Sequence, residues 1–116
     1  GTLLLAGCWW RVEPVPPLAL SWANSYYAAN PVADVNAAAG GWLFRGARDF
    51  QGELRVGYLI PEAMPGDANR RRAVLNQACP PASAPIWRLL PDKNKLVIIV
   101  WTSDNKFKDD VVCQHA

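Results

Sequence analysis

Residues 96–101 read Leu-Val-Ile-Ile-Val-Trp. The run is apolar at every position and mostly β-branched, the composition of a central strand buried on both faces. Just before it, Pro91-Asp92-Lys93-Asn94 has the residues of a four-residue connection built on a type I turn. The segment upstream of that turn, Ala84–Leu90, reads as the strand that pairs with Lys95–Ser103. The first expectation is therefore a hairpin whose second arm is an internal strand.

A second hairpin is legible further upstream. Trp42–Ala47 is its first arm, Arg48-Asp49-Phe50-Gln51-Gly52 its connection and Glu53–Ile60 its second arm. In the second arm Leu54, Val56, Tyr58 and Ile60 alternate onto one face. Pro61–Gly66 is a loop, and Asp67 is placed to cap a helix running to Cys79. Val74, Leu75, Ala78 and Cys79 form the inward stripe of that helix, and Pro80-Pro81 stops it. Nearer the N-terminus, Leu18–Ala29 carries Leu18, Trp22, Tyr26 and Ala29 at helical spacing and ends at Asn30-Pro31. Asp34 has the chemistry to cap a short turn through Ala39, before Gly40-Gly41. The tail from Asp104 is charged until Val111-Val112-Cys113. The expected fold is α+β: a small single domain over residues 18–116, with a mainly antiparallel sheet of two hairpins and two helices. Residues 13–17, with three prolines in four positions, form a break.

Composition narrows the function classes more by exclusion than by indication. The 116 residues are 51% apolar, which excludes a disordered chain. Lys and Arg number 12 against 10 Asp and Glu, a net charge of +2 that points to no nucleic-acid partner. Arg70-Arg71-Arg72 is the longest basic run and reads as a solvated helix face. Six Trp are many for this length, and they mark either a core rich in large rings or an aromatic contact surface. No apolar stretch of 18 residues is present.

Residues 5–8, Leu-Ala-Gly-Cys, follow two further leucines. They resemble the lipobox of bacterial lipoprotein precursors, in which a branched apolar residue and two small ones precede the lipidated cysteine. The resemblance implies cleavage before Cys8, a diacylglycerol on its thiol and a location on the periplasmic face of a membrane. It covers four residues and implies neither a fold nor an activity. On that reading residues 1–12 are a signal remnant; on the alternative reading, residues 2–12 are a buried N-terminal strand. The remaining cysteines, Cys79 and Cys113, then form an even pair suited to an oxidising compartment. Cys79 lies on the inward stripe of its helix and Cys113 ends the apolar patch of the tail, so a disulfide between them is expected. Buried free thiols are the other reading of the same residues.

Catalytic patterns are absent at the level of sequence. His115 is the only histidine and sits one residue from the end, so a pairing with Cys113 would lie in a segment that frays. Glu13, Glu53 and Glu62 are scattered, and Asp109-Asp110 reads as surface charge beside Lys106 and Lys108. No metal-ligand spacing, phosphate loop or dinucleotide motif occurs, so neither a metal nor a cofactor is expected. The expected function is that of a non-enzymatic exported module that binds another protein, such as an accessory of a secretion, conjugation or envelope assembly. An inhibitor or immunity protein of the periplasm, and a small enzyme whose site is assembled only in space, are the alternatives. Contact with a membrane is expected only through an anchor at Cys8.

Overall fold

The structure, a computed structural model, describes residues 13–29 and 41–114. Helix α1 (Pro17–Ala29) leads into the hairpin β1 (Leu43–Phe50) and β2 (Glu53–Ile60). Helices α2 (Ala68–Asn76) and α3 (Ile86–Leu89) then carry the chain to β3 (Leu96–Thr102) and β4 (Lys108–Cys113). The strands form one sheet in the order β1-β2-β3-β4. The outer pairs are antiparallel and the central pair, β2 with β3, is parallel. The domain is α+β, as the composition of its elements implied.

The run at 96–101 does form an internal strand, but its neighbours differ from the expected ones. Ala84–Leu90 is not a strand: its centre is the single turn α3. Pro85, with φ −57°, starts that turn, and Ile86 and Leu90 bury themselves four residues apart. Ile86, Leu89 and Leu90 carry helical spacing, which the apolar content of the segment obscured. β3 pairs instead with β2 and β4. A parallel pair needs a long crossover, and residues 61–95 with α2 and α3 supply it. The second hairpin of the molecule is therefore β3–β4, built from the tail. Its turn is closed by Asp104, whose Oδ1 accepts from the Thr102 hydroxyl at 2.6 Å and from the Lys106 amide at 3.0 Å. Those bonds hold the Asp104 carboxyl below the usual carboxylate range, the Thr102 hydroxyl contributing most.

The first hairpin is tighter than its sequence suggested. β1 continues through Phe50, and the connection is only Gln51-Gly52, both with positive φ (51° and 84°). That backbone is the one whose twist matches the flanking strands. Asp49 Oδ1 accepts from the Gly52 amide at 2.9 Å, closing the turn from the side.

One core lies on one side of the sheet. Leu54, Val56, Tyr58 and Ile60 of β2 and Leu96, Ile98 and Val100 of β3 are all buried there. Val111 and Cys113 join them from β4, with Ala19, Ala23, Tyr27, Leu75 and Ile86 from the helices. In α1 the buried row is Ala19, Ala23 and Tyr27, while Leu18 is 70% exposed and Trp22 stacks on Tyr26 at the half-buried margin. Two small residues let the helix lie close over β1. Asn24 uses that closeness: its amide donates to the Ala47 carbonyl and accepts from the Ala47 N–H, both at 3.0 Å. The middle of the β1 edge is thus covered rather than left to pair with another chain.

α2 is held differently. Asp67 caps it through the Arg70 amide at 2.9 Å, and only Leu75 within the helix is fully buried. Arg71 meets Asp109 of β4 at 2.9 Å at one end. At the other the helix stops at Asn76 rather than at Cys79, and in the turn that follows Cys79 is bonded to Cys113, with Cα atoms 5.6 Å apart. Arg71 and Asp109 are thus a cross-element pair and not plain surface charge, whereas Arg70 and Arg72 are exposed. The possible strand at 2–12 and the Asp34 turn lie outside the described residues. At the start of the described chain, Asn94 donates to the carbonyls of Glu13 and Gly52, each at 2.8 Å. The chain entering at Glu13 is thereby fixed beside the β1–β2 turn.

Candidate functional site

The other side of the sheet carries no helix among the described residues. Its rows follow from the pairing. Leu43, Leu59, Trp101 and Lys108 lie side by side across the four strands, then Gly46, Gly57, Ile99 and Asp110, then Arg48, Arg55, Val97 and Val112. An antiparallel sheet with one solvated face ordinarily shows polar residues there. Here Leu43 is 55% exposed, Phe50 40% and Val112 39%, with Leu59, Ile99 and Trp101 half-buried. Arg55 lies over the Phe50 ring, 4.0 Å from its centroid, and pairs with Glu53 at 2.9 Å.

Two glycines shape this face. Gly46 and Gly57 oppose each other on β1 and β2, leaving a hollow where two side chains would stand. A bulge next to Phe44 brings Gly46 to φ 116°, a conformation that disfavours any side chain. The Trp101 ring leans into the hollow: a Cβ on Gly57 would stand 2.9 Å from its Cη2 and Cζ3 atoms. The result is a groove of about 590 Å³ with Gly46, Gly57 and Ile99 as its floor and Trp101 and Phe107 along one side. Arg45, Arg48, Arg55 and Lys108 surround it, and no Asp or Glu lines it. Among the described residues only Arg55 of these four has an ion-pair partner.

Sequence reasoning found none of these groove residues as a group. Trp101 was visible only as the end of an apolar run, and the cations are spread over residues 45–108. The available signal was weak: Glu53, Arg55, Gly57 and Leu59 are the alternate residues of β2, and a glycine among them marks a close approach.

The expected site residues are scattered rather than gathered. Cys79 and Cys113 bind the turn after α2 to β4 on the helix side. Cys8 and His115 lie outside the described residues. No cluster of His, Cys, Asp and Glu that could hold a metal ion occurs among the described residues. Burial pushes the Tyr27 and Tyr58 hydroxyls above the ordinary phenol range, so both stay protonated at neutral pH and neither can serve as a base. Tyr27 instead donates to the Ala78 carbonyl at 2.8 Å, a structural bond.

Chemically, then, the molecule divides into a closed, hydrogen-bonded side and an open side with apolar and cationic contact groups. It is a small α+β domain in which, among the described residues, helices cover one face of the sheet only. No helix among the described residues is long and apolar enough to cross a membrane, and a disulfide is compatible with an extracytoplasmic protein. Comparison with protein-family models, with curated proteins and with solved structures found no match.

Proposed function

We propose that this protein is an exported, non-enzymatic interaction module that binds a partner protein through the open face of its sheet. The observation that carries this reading is the exposure of Leu43, Phe50 and Val112 around half-buried Trp101, on a face that carries no helix among the described residues. Apolar groups clustered on one face, with arginines among them, are the composition of a contact surface. The disulfide and the lipobox-like Leu5-Ala6-Gly7-Cys8 support export and an anchor at Cys8. Four residues separate Cys8 from Glu13, which is held at the β1–β2 turn. An acylated Cys8 would hold that pole of the domain within about 17 Å of the membrane surface, at the reach of an extended chain.

Site-specific photocrosslinking in the native host tests the docking face. With benzoylphenylalanine at Phe50 or Val112, a discrete adduct is expected, and none with the same group at exposed Glu62 in the β2–α2 loop. Equal labelling at all three positions, or none at the sheet positions, would remove the reading. The anchor is tested separately by the intact mass of the native protein, expected to match a diacylated chain beginning at Cys8.

A further inference from the structure

Charge is distributed unevenly over this domain. The whole chain has a net charge of only +2, yet four of its cations border one groove without an acidic residue in the lining. Glu53 engages Arg55, so Arg45, Arg48 and Lys108 are the groups left to meet a ligand. Among the residues outside the described ones, 1–12, 115 and 116 carry no carboxylate side chain and 30–40 carry one, Asp34. A second copy docking by the same face would bring two cationic grooves together, which Coulomb repulsion opposes.

The shape adds a second requirement. The Trp101 ring covers Gly57, and the groove beside that ring leaves space for one flat or apolar side chain. Asn24 occupies the backbone groups of Ala47, so a ligand crosses the face rather than extending the sheet from the middle of β1. Asp110 sits in the same row as Gly57 and Ile99, and Glu53 two residues from Arg55. Those carboxylates interrupt the cationic surface on either side of the groove. A continuous phosphate backbone would have to pass over one of them, whereas separate carboxylates on a peptide would not.

We infer that the groove receives an extended acidic segment of the partner protein. Its carboxylates meet Arg45, Arg48 and Lys108, and one of its apolar side chains lies in the groove against the Trp101 ring. The inference rests on the docking face proposed above and names the chemistry of its partner.

The test uses the full chain, isotope-labelled, with three probes of equal length. One is a decapeptide alternating glutamate with phenylalanine, the second has glutamine in place of each glutamate, and the third is decathymidylate. The acidic peptide is expected to shift the amide signals of Gly46 and Gly57 and the Trp101 indole signal. The glutamine peptide is expected to bind at least about tenfold more weakly, since several partly exposed ion pairs are lost together. The combined R45Q, R48Q and K108Q chain is expected to weaken the acidic peptide by a similar factor. R70Q with R72Q, exposed cations on α2, is expected to leave binding unchanged.

No shift at the groove, equal binding of the glutamine peptide, or tighter binding of decathymidylate at the same signals would each overturn the inference. The glutamine comparison needs no protein variant, so it stands even if the triple substitution unfolds the chain. Adducts at Phe50 and Val112 without acidic-peptide binding would leave the docking face standing and remove only its charge preference. Loss of both results would remove the docking face as well.

Discussion

Alternate residues of β2 experience two different solvents. Leu54, Val56, Tyr58 and Ile60 point into the core and are at most 2% exposed. Glu53, Arg55, Gly57 and Leu59 point to the open side, where an ion pair, a missing side chain and a half-covered leucine take the place of packing. β3 repeats the contrast with Ile98 against Ile99 and Val100 against Trp101. The same chemical residue, isoleucine, is a core element at 98 and part of a groove floor at 99. One side of the sheet is specified by contact with helices; the other is specified by what its own strands leave uncovered.

Substitution at those neighbours is the sharpest way to test that contrast. Ile98→Ala removes a fully buried side chain and is expected to cost roughly 2–5 kcal/mol of unfolding free energy, read from the urea midpoint. Ile99→Ala, half-buried, is expected to cost less than half as much. Equal losses at the two positions would mean that the open face is covered in solution.

Next in size is the clamp on the covered side. The Cys79–Cys113 bond spans a sequence separation of 34. Reduction is expected to lower stability by about 3–4 kcal/mol on the chain-entropy account. α2 buries little of its own surface, so hydrogen exchange in Ala68–Asn76 should accelerate more than in Pro17–Ala29. An unchanged midpoint with reductant present would contradict the role of this bond.

Gly57→Ala probes the open face at its centre. The added Cβ meets the far end of the Trp101 ring, which is only half-buried and free to swing outward. Stability is expected to change by less than about 1 kcal/mol. The Trp101 indole resonance should shift and the groove should lose binding of the acidic peptide. A large loss of stability instead would show the ring locked in place.

Smaller effects separate the ion pair and the turn. Arg71→Gln is expected to cost under about 1 kcal/mol, since Arg71 and Asp109 are both partly exposed, and the loss should shrink in high salt. Arg70→Gln and Arg72→Gln should have no measurable effect. Asp104 is expected to titrate below the usual carboxylate range in an NMR series. Its pKa in the fold is lowered, so its contribution to the β3–β4 turn is present above the unfolded value and fades as pH falls through the folded one. Thr102→Val should return Asp104 toward the ordinary range.

Much of the covered side was legible in the chain. The alternation over 53–60, the apolar run at 96–101, the Asp67 cap and the helix over 18–29 are local patterns. The inward position of Cys113 followed from local alternation, whereas Cys79 lies in the turn beyond α2, where helical periodicity no longer applies. What misled was equally local: Ala84–Leu90 is short and apolar, and over such a length helix and strand patterns overlap. The hairpin connection was read too long because Phe50 belongs to the open face, where an apolar residue answers to no core.

The sequence by itself determined that this is one α+β domain, with these two principal helices and an internal strand at residues 96–101, because local spacing and burial demand it. Only the tertiary structure decided that β3 lies parallel to β2, since strand order depends on a crossover that no local pattern encodes. The same pairing set Gly46 beside Gly57 and the Trp101 ring over Gly57. It gathered Arg45 and Arg48 of β1 and Lys108 of β4 around the same groove. Proximity across strands is a property of register, and register exists only once the sheet has formed.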